Sequence, residues 1–267
     1  MTVDMIAVEG LVGLVDELVA RPDQPVTWYR GQGCATRKLE PSLVRRLRTL
    51  DVEPTAADVL RMEKRLLTRF RQRSLPFWPA GYPMNDWEHL FAMQHYRLPT
   101  RLLDWTRSAL VAAYFALDHD PERCECGTGS CEPVVWALNP IMLNQRNPRL
   151  QGIHPGILAT SDPDVDQWAP KVDVSRFAPD PVAMYGAYNN ERITAQQGSF
   201  TVAGSGMLPL EEVLASGGDN DGVLVKFVLT GARASIRREL QVLGVSLSTV
   251  YPGLEQAALD IAEEELR

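Results

Sequence analysis

The chain has 267 residues, 45% of them hydrophobic and 23% charged, with 27 Lys/Arg against 34 Asp/Glu for a net charge of −7. That length supports one large domain with a sizeable core, and the acidic balance argues against a protein that coats nucleic acid nonspecifically. No apolar run approaches the roughly 18 residues that span a bilayer; the longest, Ala109 to Leu117, has nine, so no membrane role is expected. The first residues lack the basic start and cleavage site of a secretory signal, which makes a cytoplasmic location the default expectation.

In chain order, Met5, Ile6, Leu11, Leu14, Val15, Leu18 and Val19 recur at helical spacing and predict a helix over 5–20 that docks on the rest. Pro22 and Pro25 end it, and Val26 to Tyr29 reads as a short strand leading into Trp28-Tyr29-Arg30-Gly31-Gln32. From Arg37 to Arg73 the chain carries eleven Lys/Arg against five Asp/Glu. That stretch is either a solvated helical face or a wall that faces phosphate. Within it, Thr55 caps a predicted helix running to about Arg73, with Val59, Met62, Leu66, Leu67 and Phe70 on one face. A Pro/Gly-rich aromatic linker follows, and Asp86 opens a helix to Tyr96. Thr100 to Trp105 reads as a buried strand, Ser108 to Leu117 as a buried helix, and Val134 to Leu138 as another strand. Residues 144–181 look irregular. Ile193 to Val202 has a strand pattern interrupted by Gly198, Gly222 to Leu229 is a clear strand, and Ser235 to Leu243 is a helix stopped by Gly244. An acidic helix closes the chain from Leu254 to Leu266. Helices and strands mixed without strict alternation predict an α+β fold: a mixed or antiparallel central sheet with flanking helices, in a single domain.

The densest polar segment is 87–120, where His95, Arg101, Asp104, Trp105, Thr106 and Arg107 lie between two apolar helical patterns. Buried polar groups need partners or a purpose. Arg30-Gly31 at a strand end can clamp phosphate or ribose oxygens and let a ligand approach the backbone; alone, the pair equally fits a salt bridge beside a turn. His95 suits a general base or a helix C-cap. Period-two alternation places Arg101, Leu103 and Trp105 on one face of the strand and Leu102, Asp104 and Thr106 on the other. An Arg101–Asp104 pair that holds the strand competes with direct ligand contact. Gln196 and Gln197, before Gly198, are costly to bury unpaired, and Glu191 precedes them. Cys124, Cys126 and Cys131, with His119 upstream, offer three sulfurs and one nitrogen to a structural zinc, although Gly-Thr-Gly between the cysteines also suits a plain loop; Cys34 stands alone.

Several of these segments together resemble the FRG domain family, named for a Phe/Tyr-Arg-Gly motif. They are Tyr29-Arg30-Gly31-Gln32, the run from Met93 to Thr106, Ala113-Tyr114-Phe115-Ala116, Arg192 to Phe200, and Leu243-Gly244-Val245 to Leu254. Arg97 departs from the pattern, since the family usually has glycine there, and so does the cysteine-bearing loop. The order of elements is in turn similar to that of ADP-ribosyltransferases, which implies an ADP-ribosyltransferase-like fold. It also implies an NAD-binding set of Arg30, Gly31, Gln32, Arg101, Asp104 and Thr106. Glu191 would be the catalytic acid, with Gln196 or Glu239 as alternatives for that position and His95 shaping the site. The anion would stabilise an oxocarbenium-like transition state as nicotinamide leaves.

The expected function is therefore an NAD-dependent ADP-ribosyltransferase, an intracellular toxin or phage-defence effector with a nucleic acid or protein acceptor and an antitoxin as partner. The alternative is a non-catalytic module that binds a nucleotide or nucleic acid through the basic stretch and Trp78, Tyr82 and Trp87. A metal-assisted nuclease has little support, because no HExxH or paired-acid metal motif is present.

Overall fold

A computed structural model describes residues 3–21, 26–50, 53–78, 85–119, 124, 126, 131–152, 156–186, 191–216 and 222–266. It is an α+β structure built on one seven-stranded mixed sheet. The strands are β1 (Asp4–Glu9), β2 (Trp28–Gln32), β3 (Leu102–Thr106), β4 (Val134–Leu138), β5 (Val182–Tyr185), β6 (Gly198–Val202) and β7 (Leu224–Thr230). Their order is β1-β7-β4-β2-β3-β6-β5. Only the edge pair β1–β7 is parallel among these strands; every other neighbouring pair runs antiparallel.

The helices are α1 (Gly10–Ala20), α2 (Ser42–Arg48), α3 (Ala56–Ser74), α4 (Asp86–His95), α5 (Ala109–Leu117), α6 (Pro140–Arg146), α7 (Glu191–Gln196), α8 (Leu210–Ser216), α9 (Arg233–Val242), α10 (Leu247–Val250) and α11 (Leu254–Glu265). Local signals set several of their starts. Thr55 and Asp58 form a capping box at α3, and Asn85 with Glu88 forms another at α4, one residue before the expected cap at Asp86. The described residues between 147 and 181 are largely irregular, with short 3-10 turns at Pro163–Trp168 and Val174–Arg176.

Two expected elements differ. The predicted helix over 5–20 is a strand followed by a shorter helix, because Gly10 adopts φ +61° and breaks the chain direction there. Beyond that turn the Glu239 carboxylate accepts from the Leu11 N–H at 2.8 Å, satisfying an open donor of α1. Residues 4–9 instead add to β7 as an edge strand. Likewise the pattern over 193–202 is not one strand. It is α7, a left-handed Gln197 (φ +49°), and then β6.

Three buried clusters hold the sheet. Phe91, Met93, Trp168 and Phe200 belong to one, which joins α3 and α4 to β6. Leu11, Leu14, Ala112, Ala116 and Phe227 belong to a second, under α1, α5 and α9. Trp28, Leu103, Trp105 and Trp136 anchor a third. Close approach of α5 to β2 depends on small residues. A Cβ on Gly31 would lie 1.9 Å from the Ala112 carbonyl oxygen and 2.6 Å from the Ala116 nitrogen, so only glycine fits beneath this helix.

Candidate functional site: an arginine-lined cleft between diverging strands

Strands β2 and β3 are neighbours, yet only Tyr29 and Thr106 pair across them. Elsewhere β2 pairs along its whole length with β4, and β3 along its whole length with β6. The poorly paired seam opens a cleft of about 430 Å³. Its size falls in the range of small-molecule sites, which join apolar walls to a few placed polar groups.

Arg30 lies at this seam. Its Nη1 donates to the Asp104 carbonyl at 2.6 Å and stands 3.8 Å from Asp104 Oδ2, so the guanidinium bridges the two strands where the ladder fails. Its Nε is buried with no hydrogen-bond partner among the described residues. Burial lowers the Arg30 pKa from its ordinary value, with the Asp104 carboxylate opposing and Arg45 adding to the fall. A partly desolvated guanidinium with an unspent donor favours an incoming anion.

Arg45 of α2 and Arg97 at the end of α4 line the same cleft. Burial also lowers the Arg45 pKa, with Arg37 and Arg46 contributing. Arg97 has φ +62° and closes α4 in a Schellman turn, with its own N–H on the Gln94 carbonyl and the Leu98 N–H on the Met93 carbonyl. Glycine is the residue such a position favours, so an arginine here accepts left-handed strain and places a third cation on the cleft. Against these three arginines stands Asp104, which accepts from Gln94 Nε2 at 2.5 Å and remains half exposed. It is the one acidic side chain among the described lining residues.

The other walls combine polar and aromatic groups. His95, Thr106 and Gln196 line the cleft, and Gln196 is braced by donating to the Val250 carbonyl at 3.0 Å. Phe91 and Phe200 stack at 4.7 Å to form an apolar side, while Tyr29 and Phe115 stand nearby. A positively charged region thus adjoins an apolar wall, in which Phe91 and Phe200 are buried and the partly exposed Tyr29 and Phe115 offer ring surface to a base.

Of the residues singled out from sequence, Arg30, Gly31, His95, Asp104, Thr106 and Gln196 come together here. Two do not. Gln32 turns away, accepting from Trp136 Nε1 at 2.7 Å and donating to the Lys38 carbonyl. Arg101 is fully buried elsewhere: its guanidinium meets both Glu63 oxygens at 2.8–3.1 Å and donates to the Ala203 and Trp168 carbonyls. Neither the expected Arg101–Asp104 pair nor a ligand role for Arg101 survives this geometry. Glu239 serves the start of α1 and lies outside the cleft lining. Glu191 opens α7, but its side chain falls outside the described residues.

The basic stretch divides accordingly. Arg45 reaches the cleft, while Lys64, Arg65, Arg69 and Arg73 form the solvated face of α3. In the sequence Arg45 is one charge in a run and Arg97 only a departure from pattern. Cys34 stands alone along the chain, yet in the structure Cys34, Cys124, Cys126 and Cys131 lie close together and could hold a metal ion, a group that does not include the expected His119.

The described residues thus form an α+β sheet whose seam between β2 and β3 opens around the partly buried Arg30. Residues 26–124 of the chain match the FRG domain model. No curated protein and no solved structure matches the chain. Every cleft residue named above except Gln196 and Phe200 lies inside the matched segment. Among the described residues no helix is long and apolar enough to cross a membrane.

Proposed function

We propose that the chain is an NAD-dependent ADP-ribosyltransferase-like protein whose cleft holds the dinucleotide by its phosphates. The supporting observation is the convergence of Arg30, Asp104 and Gln196, from three distant parts of the chain, on one nucleotide-sized cleft. On this reading Arg30, Arg45 and Arg97 take the pyrophosphate, and the aromatic side takes a base. Asp104 and Thr106 orient ribose hydroxyls, and Glu191, which opens the helix ending at Gln196, supplies the anion beside the developing cation. In the reaction the bond from C1′ of the ribose to nicotinamide breaks, and nicotinamide departs with the bonding electron pair. An acceptor nucleophile on a nucleic acid or protein bonds to C1′ and passes its proton to His95. The kinship with ADP-ribosyltransferases rests on the order of elements and belongs to this proposal.

A second reading, a module that binds a nucleotide or nucleic acid without turnover, is favoured by the charge of the cleft, three arginines against one described acid. Labelled NAD offered with DNA, RNA and cell lysate separates the two. Transfer of label with nicotinamide release supports the enzyme, whereas salt-sensitive binding of ADP-ribose or an oligonucleotide without release supports the module. Arg30→Ala removes a charge-assisted contact of about 1.5–3 kcal/mol, and so should weaken ADP-ribose binding by roughly 10- to 100-fold in a titration. Unchanged affinity in that variant defeats both readings of the cleft. Normal turnover in Glu191→Gln removes Glu191 from the mechanism.

A further inference from the structure

We propose that Cys34, Cys124, Cys126 and Cys131 form a four-sulfur structural zinc site that clasps the end of β2 to the segment between α5 and β4. Cys34 comes two residues after β2, and the other three lie in the chain between α5 and β4. Their sulfurs all fall within 4.8 Å of one another, with Cys126 and Cys131 at 3.3 Å. Four thiolates around one zinc at about 2.3 Å stand roughly 3.8 Å apart in a tetrahedron, so small side-chain shifts complete the site. None of the four is engaged in a disulfide, and Cys34 and Cys131 are buried. Four thiols converging on one point from two chain segments suit a single soft cation; a multi-iron cluster holds its cysteine sulfurs farther apart.

The surroundings support the charge. Zinc with four thiolates carries a net charge of about −2. Arg37 Nη2 lies 4.0 Å from Cys124 Sγ. Arg233 of α9 donates to the Gly33 carbonyl at 2.8 Å and the Cys131 carbonyl at 2.9 Å, pinning both cysteine-bearing segments with one guanidinium. Lys226 Nζ donates to the Ala35 carbonyl, one residue past Cys34. Such cations and backbone anchors are the outer shell that orients metal ligands. His119 meets Gly33 closely: a Cβ on Gly33 would lie 1.9 Å from the His119 Cβ. It packs against the clasp, and Cys34 takes the fourth place. Because Arg30 lies four residues before Cys34 on the same strand segment, the metal also steadies the strand that carries the cleft's central cation.

The test is elemental analysis of the full chain purified under reducing conditions without added metal. One zinc per chain is expected. It should be released by a chelator only with thiol modification, and exchange with cobalt should give the sulfur-to-metal charge transfer and intense visible bands of a tetrahedral thiolate site. Cys34→Ser and Cys131→Ser should lose the metal, His119→Ala should keep it, and stripping should lower the melting temperature of the wild-type protein. Absence of bound metal together with no cobalt spectrum overturns the site, as does iron in place of zinc or a Cys126–Cys131 disulfide in the reduced preparation. Loss of zinc from His119→Ala with retention in Cys34→Ser overturns the ligand set. None of these readouts depends on NAD, so the clasp and the proposed function stand or fall separately.

Discussion

At Arg97 a single side chain sets stability against binding. An L-residue in the left-handed region costs about 1–2 kcal/mol, and Arg97 sits there with φ +62° at the close of α4. Arg97→Gly should relieve most of that cost, offset by the greater freedom glycine has when unfolded. We expect a net gain of roughly 1 kcal/mol, seen as a melting temperature higher by about 2–4 °C. The same variant should bind ADP-ribose more weakly, because one of the three cations on the cleft is gone. If Arg97→Gly leaves both temperature and affinity unchanged, the residue neither stores strain nor meets an anion. Arg101 illustrates the opposite use of an arginine. Its donors are satisfied by Glu63 and two carbonyls, and its guanidinium lies over the Phe177 ring at 4.8 Å. Removing either partner of such a pair strands a buried charge, at a cost of about 3–5 kcal/mol. It holds α3 to the start of β3 and, fully buried, lies out of a ligand's reach.

Between elements, the contact of α5 with β2 decides where the cleft can form. Ala112, Ala113 and Ala116 are fully buried on α5, and Gly31 leaves room for the helix backbone to lie directly on the strand. Gly31→Ala would drive a methyl into the Ala112 carbonyl, and neither backbone can yield without moving the sheet or the helix. Overpacking of this kind usually costs about 1–3 kcal/mol, and a backbone obstacle places this case at or above the upper end. The denaturation midpoint should fall accordingly; a midpoint equal to wild type would mean that α5 lies farther from β2 than described. The glycine of the Tyr-Arg-Gly motif is thus explained by packing, while its arginine faces the cleft from the same strand. One short motif answers two separate demands.

For the molecule as a whole, the matched segment 26–124 is not a complete core. β3 pairs along its length with β6, β2 with β4, and β4 with β7, so the strands flanking the cleft are held by the later half of the chain. Global stability should also respond to pH through His89, buried on α4 with Nδ1 donating to the Asn85 carbonyl at 2.8 Å. Burial depresses its pKa below 6.5; the Asn85 bond opposes this and Arg71 reinforces it. With a lowered folded value, the native state binds fewer protons than the unfolded chain. The stabilisation is therefore fully present above pH 6.5 and is lost as pH falls from there through the folded value. Denaturant midpoints should decline over that window, and His89→Gln should flatten the decline. A slope that persists unchanged in that variant would assign the effect to other groups.

Much of the local architecture was legible because its causes are local. The N-cap at Thr55, the continuous apolar run of β4 and the stop at Gly244 all act within a few residues. The α+β class, the Tyr-Arg-Gly strand and the polar segment around Asp104 were legible for the same reason. Residues 4–9 were not, since edge strand and helix place similar apolar residues in so short a run, and pairing with β7 decides between them. The resemblance grouped Arg30, Asp104 and Gln196 at one site, but which side chains pair over long range was not legible. That Arg30 meets Asp104 while Arg101 meets Glu63, and that Cys34 joins Cys124, Cys126 and Cys131, depends on strand order and on which seam stays unpaired. A sequence states which groups carry charge or sulfur; only the folded sheet, by burying some and opening others, decides which of them face each other.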